Sequence, residues 1–168
     1  MPHKCCAPTE SFANCCNVVT TVNAPSAYNV NEFMPLSLTS SQDWTVDPSD
    51  NTKLICQNPG MWNIMAQYQC GSLISTQCQI SGWYFINGFY QDQSIAVNSL
   101  QAQYHTSVLA IGLAYNFNKG DFIQLGIRVK TSDTTSPPAQ GCFALAANNP
   151  LNTSGFNIPS LILTMAKR

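Results

Sequence analysis

Two cysteine doublets, Cys5-Cys6 and Cys15-Cys16, are the side chains best suited to chemistry in this chain of 168 residues. Thiolates form disulfides or bind zinc. Adjacent cysteines rarely bridge to each other because that geometry is strained, so each doublet would bridge to the other doublet or to a second chain, or remain reduced. Eight residues separate the two doublets and His3 is nearby, whereas zinc sites use spacings such as C-x2-C. Disulfides, zinc and free thiols all stay open.

The remaining cysteines bring the total to eight, an even number that suits a disulfide framework. Eight cysteines allow 105 pairings, and the sequence does not choose among them. Buried cysteines can also be inert parts of a core. The candidates for disulfides or for attachment to a neighbour are Cys5, Cys6, Cys15, Cys16, Cys56, Cys70, Cys78 and Cys142.

Enzyme chemistry finds little support, because the chain has only two histidines, His3 and His105. A metal-binding jelly roll needs clustered histidines, and one histidine in the domain cannot supply them. His105 could in principle pair with Asp92 or Asp121, but no Gly-x-Ser-x-Gly elbow accompanies them. A glycine-rich phosphate loop is also missing from the sequence. We therefore expect no catalytic site, no cofactor and no metal centre.

The segment Asp-Pro-Ser-Asp-Asn at 47–51 is the one place where oxygen ligands cluster. Carboxylate and amide oxygens are the ligands that calcium prefers. The same residue types also cap turns with their side chains. A capped turn is the interpretation that we adopt, with calcium as the alternative.

Charged residues make up only 9% of the chain and the net charge is −1. Such a balance argues against nucleic acid as a partner. The longest apolar run, 108–115, is far shorter than the roughly 20 residues of a membrane-spanning helix. The N-terminus shows no apolar signal-peptide core. A subunit surrounded by neighbours needs few charges, since burying them in an interface is costly, so the composition favours an assembled protein over a secreted β-domain.

The elements that would position these residues are short strands separated by turns. Asn58-Pro59-Gly60 marks a turn after which apolar residues alternate with polar ones, and Asn87-Gly88 marks a hairpin turn between two apolar runs. We find no convincing helical spacing. The predicted strands are 18–22, 33–38, 62–70, 80–86, 89–90, 95–97, 106–117, 122–130 and 158–166. These strands predict an all-β sandwich or jelly roll over residues 17–168, preceded by a cysteine-containing tail at 1–16.

Four segments resemble the globular heads of the complement and tumour-necrosis-factor-like family. Residues 54–64 resemble the Pro-Gly-x-Tyr-x-Phe strand of these heads, and 85–88 resemble the strand that ends in Asn-Gly. Residues 118–125 resemble the Gly-Asp-x-Val-x-Leu turn and strand, and 159–165 resemble the closing strand. The segments follow one another in the family's order and spacing, and the resemblance covers roughly 17–168.

This resemblance implies a jelly roll of about ten strands that assembles as a tight homotrimer. The chain departs from the family in having Trp62 where Tyr is usual, and a cysteine tail where a collagen-like stretch would stand. Similar heads occur on bacterial spores, phage appendages and large DNA-virus particles. By this analogy we expect a non-enzymatic structural protein of a virion, a minor capsid or surface protein that is joined to neighbouring capsid proteins through its tail. The alternative is an extracellular or fibre-borne head that binds a receptor or glycan.

Some of the many aromatic residues should face neighbouring subunits, where Trp and Tyr are enriched. The alternative is that they all belong to the core of the protomer. The candidates for the trimer contact are Trp62, Tyr68, Tyr115, Phe117 and Phe122.

Overall fold

The computed structural model describes residues 16–20, 31–34, 36, 41–72, 78–101, 106–131, 142–144 and 161–168. Within these ranges the chain forms β-strands and one short 3-10 turn, and no helix there is long and apolar enough to cross a membrane. The strands are β1 (Cys16–Thr20), β2 (Asn31–Phe33), β3 (Trp44–Asp47), β4 (Asp50–Cys56), β5 (Gly60–Ser72), β6 (Cys78–Ile86), β7 (Phe89–Tyr90), β8 (Ala96–Leu100), β9 (Thr106–Phe117), β10 (Phe122–Thr131), β11 (Cys142–Ala144) and β12 (Leu161–Lys167).

The strands form two antiparallel sheets, which we name after their central strands. In the 5-stranded β5 sheet the order is β1-β12-β5-β11, and β9 pairs with the other edge of β5. In the 7-stranded β10 sheet the order is β3-β4-β10-β6-β7, with β2 on β10 and β8 on β6. The sheets pack face to face around one core, so the predicted jelly-roll sandwich is confirmed.

Alternation along the strands decides which side chains enter this core. In β5, Trp62, Ile64 and Tyr68 point inward and are at most 2% exposed. Between them, Met61 and Met65 point outward and are 40% and 51% exposed. Each strand of a two-sheet sandwich can bury only one face in this way, so the other face of the β5 sheet is left for solvent or a partner.

Two tyrosines connect the sheets by hydrogen bonds that run in opposite directions across the core. Tyr68 of the β5 sheet donates its hydroxyl to the Gly126 carbonyl of β10, at 3.1 Å. Tyr84 of the β10 sheet donates its hydroxyl to the Ile111 carbonyl of β9, also at 3.1 Å. Both side chains are fully buried. Because a buried hydroxyl without a partner is costly, the two bonds set how the sheets lie against each other.

Glycines in the β10 sheet make room for two of the large side chains. A Cβ at Gly82 would lie 2.8 Å from Cε2 of Tyr68, which is closer than the ring allows. A Cβ at Gly126 would collide with the indole of Trp83. Gly126 therefore accepts the tyrosine hydroxyl from the core side and receives a tryptophan on the outer side.

The two turns with the clearest sequence signals lie beside each other. Asn87 and Gly88 both have positive φ, 53° and 81°, as the predicted Asn-Gly hairpin between β6 and β7 requires. The Asn87 amide donates to the Asp121 carboxylate at 2.9 Å and accepts from the Phe122 backbone at 2.9 Å. Asp121 also accepts from the Asn118 backbone at 2.7 Å. Asp121 is therefore a turn residue.

The predicted strand bounds hold best where alternation is long. The strand at 106–117 agrees with β9, and those at 62–70 and 122–130 lie within β5 and β10. The bounds are wrong near prolines, since β2 ends at Phe33 whereas the prediction ran to 38. The hairpin of β3 and β4 falls in a stretch for which no strand bounds were predicted.

Replacing either core tyrosine should destabilise the protein. We expect Tyr68→Phe and Tyr84→Phe each to lower the free energy of unfolding by about 1–3 kcal/mol, because a buried carbonyl loses its donor. Urea denaturation followed by circular dichroism would measure this. Tyr90→Phe is the matched control, since Tyr90 is 44% exposed and its loss of a hydroxyl should change little. Equal stabilities for all three variants would contradict the role of the bonds.

Candidate interaction surface

The outward side of the β5 sheet is the candidate interaction surface, which we call the β5 outer face. It consists of the side chains that alternate with the buried ones on three neighbouring strands. Their members are Met61, Asn63, Met65, Gln67 and Gln69 of β5, Val108, Ala110, Gly112, Ala114 and Asn116 of β9, and Ile162, Thr164 and Ala166 of β12.

The middle of this face is flat because the residues of β9 there are small. Met65 lies opposite Gly112 on one side and Thr164 on the other. A Cβ at Gly112 would meet only the Ile64 carbonyl, at 3.8 Å, so the space above the strand is open. Small residues let another backbone approach closely, while the exposed methionine adapts to an irregular partner.

None of the side chains on the β5 outer face carries a charge. Among the described residues, charged groups lie in the β10 sheet, in its turns, or at Lys167 and Arg168. The Lys167 ammonium does not lie on the face, because it donates to the Asn58 side chain at 2.6 Å and stands 5.9 Å from the Trp62 ring. The few charges of the sequence are therefore absent from the β5 outer face, as the core of an interface would require.

The aromatic residues predicted for the trimer contact do not form this face. Trp62, Tyr68 and Phe117 are buried inside the protomer at 0–1% exposure, so they offer no surface to a neighbour and the prediction is corrected for these three. Tyr115 is half-buried against Phe117, with ring centroids 4.7 Å apart. Phe122 is half-buried in the opposite sheet. For Tyr115 and Phe122 the contact remains a prediction.

The large size of the aromatic residues was a poor guide to the surface. The alternation along each strand correctly indicates which side is buried. Trp62 and Tyr68 share their side of β5 with Ile64, and Phe117 shares its side of β9 with Ile111. Trp44 packs edge-on against Trp62 and Phe117, at 5.4 and 5.0 Å, and closes this end of the core. The positions available for a surface contact are the intervening ones, whose residues are smaller and less aromatic.

The described cysteines lie in both sheets. Cys56 and Cys70 are buried free thiols, so neither is bridged, although both stood among the disulfide candidates. Burial raises the pKa of Cys56, and it raises that of Cys70 to about 12. Both thiols are therefore poor nucleophiles at neutral pH.

For three further cysteine candidates, the structure describes the position of the backbone in a strand ladder. Cys16 lies opposite Met165, Cys78 opposite Leu100 and Cys142 opposite Ser72 in the strand ladders. Cys5, Cys6 and Cys15 fall outside the described residues, as does the predicted tail except for Cys16.

The acidic segment at 47–51 forms a capped turn between β3 and β4. The Asp47 carboxylate accepts from the Ser49 backbone at 2.8 Å and from its hydroxyl at 2.6 Å. Asp50 accepts from the Thr52 hydroxyl at 2.6 Å and pairs with Lys53 at 3.0 Å. Hydrogen bonds from Ser49 and from Thr52 lower the pKa of Asp47 and of Asp50, respectively. The capped-turn interpretation is confirmed, and no group of three metal-ligating side chains occurs within the described residues.

The residues considered for catalysis are not brought together in what the structure describes. Asp121 is occupied by the turn, and Asp92 begins the exposed 3-10 turn Asp92–Ser94. His105 lies outside the described residues.

Comparisons with known proteins identify the fold. No family model matches the sequence, and no curated protein matches it either. Among solved structures, the crystal structure of murine APRIL at pH 5.0 is similar, with a TM-score of 0.56 and 10% identity. The match covers 90% of this chain and 97% of the other. At that identity the likeness shows a tumour-necrosis-factor-like jelly roll, and the function has to be argued from the surfaces.

Cys70 should make the protein sensitive to alkali. Its thiol stays protonated in the folded state up to a pKa of about 12, whereas an ordinary thiol ionises near 9.0. The free energy of unfolding should thus be unaffected below pH 9 and fall as the pH rises toward 12, by at most about 4 kcal/mol. Urea titrations in reductant between pH 8 and 11 would show a shallower decline for Cys70→Ala. Parallel declines in both proteins would refute this.

Proposed function

We propose that this protein is a non-enzymatic structural subunit that assembles as a homotrimer within a larger particle, as a minor capsid or surface protein of a large DNA virus. The β5 outer face is the surface through which protomers meet. The trimer and the virion come from the sequence resemblance and the composition, and the similarity in fold to APRIL is compatible with them.

The observation that carries the proposal is the uneven distribution of charge. A free protomer would benefit from charged side chains on both outer faces, since they keep a protein soluble. Here one outer face is uncharged over three neighbouring strands and exposes Met61, Met65 and Val108 at 40–51%. Covering that face with other copies removes exposed apolar surface without burying any charge.

The predicted cysteine tail would fasten the trimer to its neighbours. Its expected join to the domain is near Cys16, which starts β1, and β1 pairs with β12 at the edge of the β5 sheet. The tail would therefore leave the domain beside the surface that joins the protomers. Four thiols on each protomer could then form disulfides with an adjacent subunit where the compartment supplies an oxidase.

A receptor- or glycan-binding head is the second candidate function. It is favoured by a pocket on the opposite sheet, described in the next subsection, because that pocket would stay accessible when the β5 outer face is covered.

Assembly can be tested with a substitution that the protomer itself tolerates. We expect Gly112→Arg to give a folded monomer of 18.3 kDa, where the parent protein has three times that mass. The open space above Gly112 accommodates the side chain in one protomer, but the charge cannot be buried between protomers. Light scattering gives the mass, and circular dichroism verifies folding.

Two controls separate the face from a general effect of arginine. Gly112→Ala should keep the parent mass, and so should Val97→Arg, because Val97 is 56% exposed in the other sheet. A parent protein that is monomeric with and without reductant would overturn the trimer. A Gly112→Arg variant that keeps the parent mass would overturn the assignment of the β5 outer face as the surface where protomers meet.

The tail has a separate test. Replacing Cys5, Cys6, Cys15 and Cys16 with Ser should leave the thermal unfolding midpoint unchanged, since these thiols are proposed to act in attachment. The fraction of protein that sediments with the parent particle should fall. A variant that fails to fold would show that the cysteines stabilise the domain itself.

A further inference from the structure

A pocket of about 180 Å³ opens on the outer side of the β10 sheet, away from the β5 outer face. The pocket is lined by Ser81, Trp83, Tyr90, Ile95 and Arg128. Three strands and one turn supply these residues, so the pocket is a product of the fold and not of one local motif.

The pocket lies at a break in the edge of the sheet. β7 pairs with the end of β6 at Phe85 and Ile86, whereas β8 pairs with its beginning, from Cys78 to Gly82. The 3-10 turn Asp92–Ser94 fills the interval. Tyr90 and Ile95, on the two sides of that turn, therefore form two walls that stand apart.

Trp83 forms the floor of the pocket and is only 3% exposed. Its indole lies over Gly126, where any larger residue would collide with it, and its ring stands 5.9 Å from that of Tyr90. The Trp83 Nε1–H is buried and has no hydrogen-bond partner in the described part of the protein. An unpaired buried donor is costly, and because Trp83 lines the pocket, a ligand acceptor seated against this side chain would relieve that cost.

Arg128 provides a positive charge at the rim. It lies directly opposite Ser81 in the ladder between β10 and β6, and it is exposed. The Lys53–Asp50 pair is the one salt bridge found among the side chains that the structure describes, and no carboxylate of that set pairs with Arg128. A guanidinium presents a planar set of donors that matches a carboxylate in a bidentate pair.

We propose that this pocket binds a monosaccharide unit that carries a carboxylate, such as a hexuronic acid at the end of a glycan. Arg128 pairs with the carboxylate, and the Ser81 hydroxyl bonds to a ring hydroxyl. The apolar face of the sugar packs on Tyr90, and the Trp83 Nε1–H gains an acceptor. The inference uses the protomer alone and stands whether or not the protein is a trimer.

The size of the pocket and the state of the strand edge favour a compact sugar over a peptide. Pockets for drug-sized ligands are roughly 300–1,000 Å³, so about 180 Å³ holds a single sugar residue. An extended peptide would need free backbone groups on β6. At the break those groups are taken, because the Tyr84 N–H donates to Ser94 Oγ at 2.8 Å and its carbonyl accepts from Gln91 at 3.0 Å.

The test uses the indole N–H signals in a proton–nitrogen NMR spectrum as reporters. The chain has three tryptophans, and Trp62 Nε1 donates to the Asn58 carbonyl at 3.2 Å, so its signal is an internal reference. Methyl β-glucuronide should shift the Trp83 signal with a dissociation constant of about 1 mM, the affinity expected for roughly a dozen ligand atoms. Methyl β-glucoside, in which a hydroxymethyl group replaces the carboxylate, should bind at least tenfold more weakly.

Variants assign the contacts. Arg128→Gln should weaken glucuronide binding by about 10–100-fold, the loss expected for one charge-assisted pair. Lys119→Ala is the control, because it removes an exposed positive charge from the turn before β10 and should leave binding unchanged.

Three outcomes would overturn the proposal. The first is a Trp83 signal that does not move at 50-fold the expected dissociation constant. The second is an equal response to glucoside and glucuronide, or an equal response of the parent protein and the Arg128→Gln variant to glucuronide. The third is an equal or larger response to N-acetylaspartate amide, which would assign the pocket to an acidic protein side chain.

Discussion

The separation of the two sheets is the constraint on which the rest of this structure depends, and Tyr68 and Tyr84 set it from opposite sides. Each ring spans the gap and ends on a carbonyl of the facing sheet, so neither sheet can slide without breaking a buried hydrogen bond. The glycines follow from this arrangement. Gly82 exists as glycine because the Tyr68 ring passes over it, and Gly126 frees the outer side of β10 for Trp83. The packing of the interior thereby shapes a feature of the exterior.

The two outer faces have opposite characters for a reason that lies in this architecture. The long strands of both sheets turn one side toward the core, so the core requires nothing specific of their outer sides. On the β5 sheet those positions hold amides, small residues and methionines, and on the β10 sheet they hold aromatic rings and charges such as Lys53 and Arg128. Such a difference within one domain matches the proposed assembly, in which the β5 outer face is covered by other copies and the β10 sheet stays open to water.

Much of the fold could be predicted from the sequence because its strongest signals are local. Alternation over β9 and β10 and the Asn87-Gly88 turn depend only on neighbouring residues. The β3–β4 hairpin was harder to predict, because residues such as Pro48 and the acidic residues around it are also common in loops. The surfaces were predicted least well. Aromatic size suggested Trp62 as a contact although its side of the strand is buried, and the pocket joins Ser81 to Arg128 from strands far apart in the chain.

The strand order of the β5 sheet also governs timing. β12 lies between β1 and β5, and Cys16 is paired with Met165. β1, which is synthesised early, therefore cannot join the sheet until β12 has been synthesised. Pairings of such long range form slowly, because a long loop has to close first. Until residues 161–167 have emerged from the ribosome, β5 has one edge without its long partner and the face it helps to build is incomplete. Self-association through the β5 outer face, as proposed above, would therefore require a domain in which β12 has already been synthesised.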